Sequence, residues 1–218
     1  METQADDKGR FLLINKPLRW TSFDVVNKLR FRLKIKKIGH AGTLDPLASG
    51  LLIICVGKMT KRIEEFMGLE KEYTGTFVLG KTTPSYDLET AVSEENDISA
   101  LTDEMINNAV RPFIGTISQL PPLHSAIRVG GKRAYEFARK GADIELKPRE
   151  VLINKFEITS IALPEVGFRI VCSKGTYIRS IARDFGSELK VGAYLAALCR
   201  TRIGPFLLSD ALEVDQVE

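Results

Sequence analysis

With only two histidines, three cysteines and one tryptophan among 218 residues, the chain lacks the raw material for several kinds of chemistry. His40 and His124 cannot furnish the ligand cluster of a protein zinc site, so no metal is expected. Cys55, Cys172 and Cys199 lie in apolar stretches without paired or metal-ligand spacing. No disulfide framework is expected, and a reducing cytoplasm is the simplest compartment. Long hydrophobic runs are missing too: the longest, Leu51 to Val56, is the size of a strand, which argues against a membrane span. The letters of a GxxxxGKT pattern, Gly75 to Thr82, fall in the alternating stretch Tyr73 to Leu79 that reads as a strand and not in a loop, and no GxGxxG segment follows a strand, so nucleotide cofactors have no cradle. A GxSxG elbow is absent, as is a cysteine with a well-placed histidine. What remains points to chemistry without any cofactor.

Net charge is only +3, but it is unevenly spread. Lys16, Arg19, Lys28, Arg30, Arg32, Lys34, Lys36 and Lys37 follow one another with Asp24 as the sole acidic residue among them. Such a surface prefers polyanions. Between Pro84 and Ile106 the sign inverts, with Asp87, Glu89, Glu94, Glu95, Asp97, Asp103 and Glu104 and no Lys or Arg, a patch that repels phosphates and helps set orientation. Farther on, Lys132, Arg133, Arg139 and Lys140 stand around Tyr135 and Phe137, a mixture of cations and aromatics that suits RNA.

Periodicity gives the elements. Phe11 to Asn15 reads as a strand, and Thr21 with Asp24 three residues on reads as a capping box opening a helix whose buried stripe is Val25, Val26, Leu29 and Leu33. Thr60 is expected to cap a short helix through Ile63, Phe66 and Met67, and Tyr73 to Leu79 alternates as a strand. Thr102 opens another helix, stopped at Pro112, with Phe113 to Ile117 as a strand after it. Gly130-Gly131 turns the chain into a basic helix from Lys132. Val151 to Ile161 and Phe168 to Cys172 form a hairpin with a longer connection, and Gly175 to Arg179 leads into a helix. Tyr194 to Cys199 reads as a short helix and Thr201 to Leu208 as the last strand. The class expected is α+β, a mixed, mainly antiparallel sheet flanked by helices. Residues 1–9, acidic and without signal-peptide order, are expected to be a disordered tail, and 10–218 one catalytic domain.

The segment Lys37 to Gly50 sets one carboxylate, Asp45, at the tip of a loop bracketed by Gly39, Gly42 and Gly50, with Pro46 beside it and the apolar strand behind it. A loop anchored on a buried strand holds a side chain closely enough for chemistry. Asp45, His40, Tyr73, Tyr177 and Arg179 are the polar candidates, a set suited to work on a flat, uncharged ring.

The stretch Gly39-His40-Ala41-Gly42-Thr43-Leu44-Asp45-Pro46-Leu47-Ala48-Ser49-Gly50-Leu51-Leu52 resembles the signature of the TruB family of tRNA pseudouridine-55 synthases. The resemblance continues, in the family's order, through Leu13 to Pro17, Lys71-Glu72-Tyr73, Pro121-Pro122, Gly130 to Tyr135, Lys174 to Arg179, and Leu198 before Arg200-Thr201. It implies a pseudouridine synthase fold and isomerisation of one uridine in the T-arm loop of tRNA, with the base flipped out and no cofactor. Asp45 is then the essential carboxylate, acting as a nucleophile or through a glycal-type intermediate, and Arg179 the cation that keeps it charged. Tyr73 stacks on the uracil and is a candidate for proton transfer at C5, Tyr177 and Leu198 line the pocket, and His40 fills the space the base leaves or contacts RNA. Asp87 contacts RNA or orients the pocket, although within Thr82 to Thr90 the family's usual second aspartate and closing glycine are replaced. Lys16, Arg128, Lys132 and Arg133 are further RNA contacts. Residues 123–149 correspond to a thumb over the T-loop, and no separate C-terminal RNA-binding domain is expected. The implied enzyme is a monomer whose partner is tRNA. The alternatives are a tRNA-folding chaperone that needs no catalysis, and a hydrolase with Asp45 as general base.

Overall fold

Strand Ala48–Val56 is buried on both faces, which explains its unbroken apolar sequence. Leu52, Ile54 and Val56 face one cluster with Ile14, Val25, Val26 and Leu29, while Leu51, Ile53 and Cys55 face another with Phe66 and Ile203. The structure is a computed structural model that describes residues 9–125, 128–129, 132–133, 137 and 146–218. The chain divides into two compact units, one running up to Thr74 and joined by Ala197–Glu218, the other Gly75–Ala196.

In the first unit Arg10–Lys16 pairs antiparallel with Ala48–Val56 along one edge. The other edge is shared: Ile38–Ala41 lies antiparallel at Ile53 to Val56, and Leu198 to Arg200 lies parallel at Ala48 to Gly50. Helix Ser22–Leu33 starts at Thr21, whose hydroxyl accepts from Asp24 N while the Asp24 carboxylate accepts from Thr21 N, the capping box expected. Its stripe of Val25, Val26 and Leu29 packs on the sheet. Phe11, Phe66 and Phe206 close the opposite side, with ring centroids 5.2 to 6.0 Å apart.

In the second unit Arg149–Ala162 is flanked antiparallel by Glu165–Cys172 and Gly115–Gln119. Phe77 stacks on Phe168 at 4.0 Å, and Phe113, Phe156 and Phe185 pack edge-on and tilted around them. Helices Asp103–Asn108 and Ile178–Glu188 stand where the sequence puts them, the first capped by Thr102, whose hydroxyl accepts from Met105 N. Strands in mainly antiparallel pairs with helices on them make the class α+β.

Four local expectations change. Residues 194–199 belong to the strand Ala193–Ile203, because edge pairing with Ala48 to Gly50 outweighs the helical preference of Ala and Leu. The hairpin connection is short, Leu163-Pro164, since the second strand already begins at Glu165. The Thr60 hydroxyl donates to Gly57 O within the 3-10 turn Gly57–Arg62, and the helix Ile63–Gly68 follows without a side-chain cap. Lys132–Arg133 is a strand paired antiparallel with Arg128–Val129 rather than a helical start. Of the tail expected over residues 1–9, residues 1–8 lie outside the described residues.

Gly50 shows how tightly the first unit is built. Its φ is +105°, and a Cβ there would run into the backbone of Arg200. Gly50→Ala is expected to cost about 2 to 3 kcal/mol, visible as a lower denaturant midpoint at unchanged slope.

Candidate active site

Asp45 lies in the loop from Gly42 to Leu47, between strands Ile38–Ala41 and Ala48–Val56. Each loop residue up to Pro46 has a backbone tether. Arg200 donates from Nη2 to Gly42 O at 3.3 Å, from Nη1 to Thr43 O at 3.5 Å and from Nε to Leu51 O at 2.7 Å. The buried Ser22 hydroxyl accepts from Leu44 N at 2.9 Å and donates to Leu44 O at 3.2 Å. Asp45 O accepts from Ala48 N at 3.0 Å, and Pro46 O from Arg19 N at 2.7 Å. The loop conformation is therefore fixed through its backbone, which sets where the Asp45 side chain begins.

Beneath this loop lies a row of three registered residues. Gly50 is partnered by Lys16 on one side and by Arg200 on the other, and both cations are buried, at 0 % and 1 % exposure. The Gly50 position has no side chain to separate them. Lys16 donates from Nζ to Pro17 O at 2.9 Å and Trp20 O at 2.6 Å, so its carbonyl partners are in the turn that leads to the helix. This corrects the expectation of Lys16 as an RNA contact: it lies on the same strand face as the fully buried Ile14. Burial lowers the Lys16 pKa to about 8, an effect that the charge of Asp45 opposes and that of Arg200 reinforces.

A depressed lysine pKa means that the unfolded chain binds more protons between pH 8 and 10.5, so folding stability gains as pH rises through that window. Relative to Lys16→Met, the wild type is expected to gain of the order of 3 kcal/mol across it, measured by denaturant titration at each pH.

Leu198 pairs with Ala48, the first residue after the loop, and Tyr73 stands on the next strand, Lys71–Leu79, at 9 % exposure. Thr201 Oγ1 donates to the Glu72 carboxylate at 2.9 Å, fixing that neighbouring strand beside Tyr73. His40 is registered with Ile54, and burial holds its imidazole below the ordinary histidine value, favouring the neutral ring. Asp45, His40, Tyr73 and Leu198 thus share the first unit.

The second unit holds Arg179 and Asp87 together. Arg179, in the first turn of its helix, lies 3.5 Å by Nε from the Asp87 carboxylate, with side-chain exposures of 4 % and 7 %. Its Nη1 donates to Ser85 O at 3.5 Å. Asp87 is held in turn: its carbonyl accepts from Thr83 Oγ1 at 2.7 Å, and its carboxylate accepts from Glu89 N at 2.9 Å. Ser85 and Thr90 join hydroxyls at 2.8 Å, closing the turn in which Tyr86 has a φ of +62°. The backbone of Tyr177 is clamped by the buried Gln119, which accepts from Tyr177 N at 2.8 Å and donates to Tyr177 O at 3.1 Å.

Ser22, Arg200, Ser85 and Gln119 were not singled out from the sequence. Ser22 is hidden behind its helix-capping neighbour, and Arg200 falls between the helix expected over 194–199 and the strand expected from Thr201. The side chains of Arg128, Lys132 and Arg133, and residues 134–136 and 138–145 of the expected thumb, lie outside the described residues. Cys55 is buried, and burial pushes its thiol up to about 11, which leaves it unreactive. No described helix is long and apolar enough to cross a membrane.

The Asp45 loop lies in a part of the chain that a known family matches. The family model for TruB family pseudouridylate synthase, N-terminal domain, matches residues 30–178. The chain belongs to the TruB family. A curated relative from Flavobacterium johnsoniae, tRNA pseudouridine synthase B, is 52% identical over 218 residues, covering 97% of this chain and 95% of its own. Another of that name, from Phocaeicola vulgatus, is 52% identical over 214 residues, covering 95% and 91%. Among solved structures, a Cbf5-Nop10-Gar1 complex matches with a TM-score of 0.74 at 29% identity over 96% of this chain, and the archaeal box H/ACA sRNP Nop10-Cbf5 complex at 0.70 and 26% over 96%. This chain spans only about half of those structures' chains, 54% and 52%. As a TruB-family enzyme the protein is a pseudouridine synthase, with the fold of its solved neighbours.

Proposed function

We propose that the enzyme converts one uridine in the T-arm loop of tRNA, position 55, to pseudouridine. The observation that carries the reading is the backbone-pinned loop that presents Asp45, in a chain about half identical to relatives named for tRNA. In this reaction the bond from ribose C1′ to N1 breaks and one from C1′ to C5 forms. C5 gives up a proton and N1 takes one, so mass is unchanged.

Asp45 is the group that acts on the sugar or base, and the rigid loop lets it do so without reorganising. Arg179, anchored by Asp87 and Ser85, supplies the cation for that charged step. Tyr73 stacks on the extruded uracil, a contact worth about 1 to 3 kcal/mol that offsets the few kcal/mol of unstacking. Tyr177 and Leu198 wall the pocket, and the neutral His40 occupies space without adding charge.

The test is to expose unmodified tRNA to the purified chain and map its pseudouridines. One new pseudouridine, at position 55, is the expected result. Modification elsewhere sinks the site assignment, and cleaved RNA or free uracil assigns a hydrolase instead.

A further inference from the structure

Helix Ser22–Leu33 exposes an aromatic and basic face for which the reaction has no use. Phe31 is 85 % exposed, Phe23 57 % and Leu18, just ahead of the helix, 55 %. Phe23 and Phe31 are eight residues apart, about 12 Å along the axis. Arg30 lies over the Phe23 ring with its guanidinium 5.9 Å from the centroid, and donates to the Asn27 side chain at 2.8 Å. Lys28 and Arg32 are engaged by Asp215, whereas Arg19, Lys34, Lys36 and Lys37 make no ion pair among the described residues. Apolar rings held out in water beside unneutralised cations match a strand with π-faces and phosphates, not a hydrocarbon surface.

The place of this face matters as much as its chemistry. The helix begins at the Asp45 loop, since Ser22 grips Leu44 and Arg19 N holds Pro46 O. It then leads about 18 Å away. We infer that the exposed face of Ser22–Leu33, with the loop to Lys37, is a second RNA contact, taking unstacked nucleotides of the substrate that lie outside the reacting loop. Paired bases are out of reach of such rings, so Phe31 and Phe23 select unstacked ones, and the lysines follow their phosphates. The inference rests on the proposed tRNA substrate.

Phe23→Ala with Phe31→Ala tests it, both sites being exposed and alanine favouring the helix. A second variant, Lys36→Glu with Lys37→Glu, removes the charges without touching the rings. Binding and turnover are measured on whole tRNA and on the isolated T-arm stem-loop. The expected result is a Kd for whole tRNA raised about tenfold in the first variant, with stem-loop Kd and kcat unchanged. The second variant should weaken whole-tRNA binding and flatten its salt dependence. Unchanged whole-tRNA binding in both variants overturns the inference, as does a wild-type dimer that Phe23→Ala with Phe31→Ala splits, which assigns the face to a second copy. Wild-type turnover on the stem-loop reports the proposed function separately: if it is present while the variants bind whole tRNA normally, only the second contact fails.

Discussion

Asp45→Asn is expected to abolish turnover, by at least about 10⁴-fold, while tRNA binding stays within a few-fold of wild type. Asn has the same shape, and the tethers at Gly42, Thr43, Leu44 and Pro46 use backbone atoms, so the loop should keep its conformation. Only the charge and its lone pairs are lost. Tritium release from tRNA labelled at uridine C5 measures the reaction, and filter binding measures affinity. Release at the wild-type rate would remove Asp45 from the chemistry. If cells lacking the enzyme regain full fitness from the inactive variant, the chaperone reading explains the benefit, and isomerisation is a separate activity of the same surface.

The Asp45 loop was legible because its signals are local. Glycine at positive φ at Gly42 and Gly50, Pro46, and the apolar run behind them are each written within a few residues. The capping box at Thr21 and Asp24 was legible for the same reason. Arg200 was not, because its function arises from parallel pairing with Ala48 to Gly50, 149 residues away from its carbonyl partner Leu51. Nothing in the run Tyr194 to Cys199 announces that pairing, and its Ala and Leu content favours a helix when read alone. Lys16 was misjudged differently. Its position in a basic stretch suggested a surface, but strand alternation puts it with Ile14, and that two-residue spacing was available in the sequence. The turn that carries Asp87 is closed by the Ser85 and Thr90 hydroxyls, a pairing across five residues that neither side chain announces in the sequence.

The pair of Arg179 and Asp87 is the place where stability and catalysis can be separated. Both side chains are nearly inaccessible, so removing one takes from the other, still buried, this ion-pair contact. Arg179→Met and Asp87→Leu are each expected to cost about 3 to 5 kcal/mol of folding free energy. Together they should cost less than the sum by about 1 to 3 kcal/mol, because the double variant strands no partner of this pair. Chemical unfolding of the four proteins gives the coupling directly. Turnover should behave otherwise. If Arg179 supplies the cation for the Asp45 step, the double variant regains stability relative to the summed singles but stays as inactive as Arg179→Met. Asp87→Leu, assayed where it is still folded, should lose kcat with little change in KM, since it removes one anchor of the guanidinium. Full activity in Asp87→Leu would show that Arg179 needs no anchor, and parallel recovery of stability and turnover in the double variant would make the pair a purely structural element.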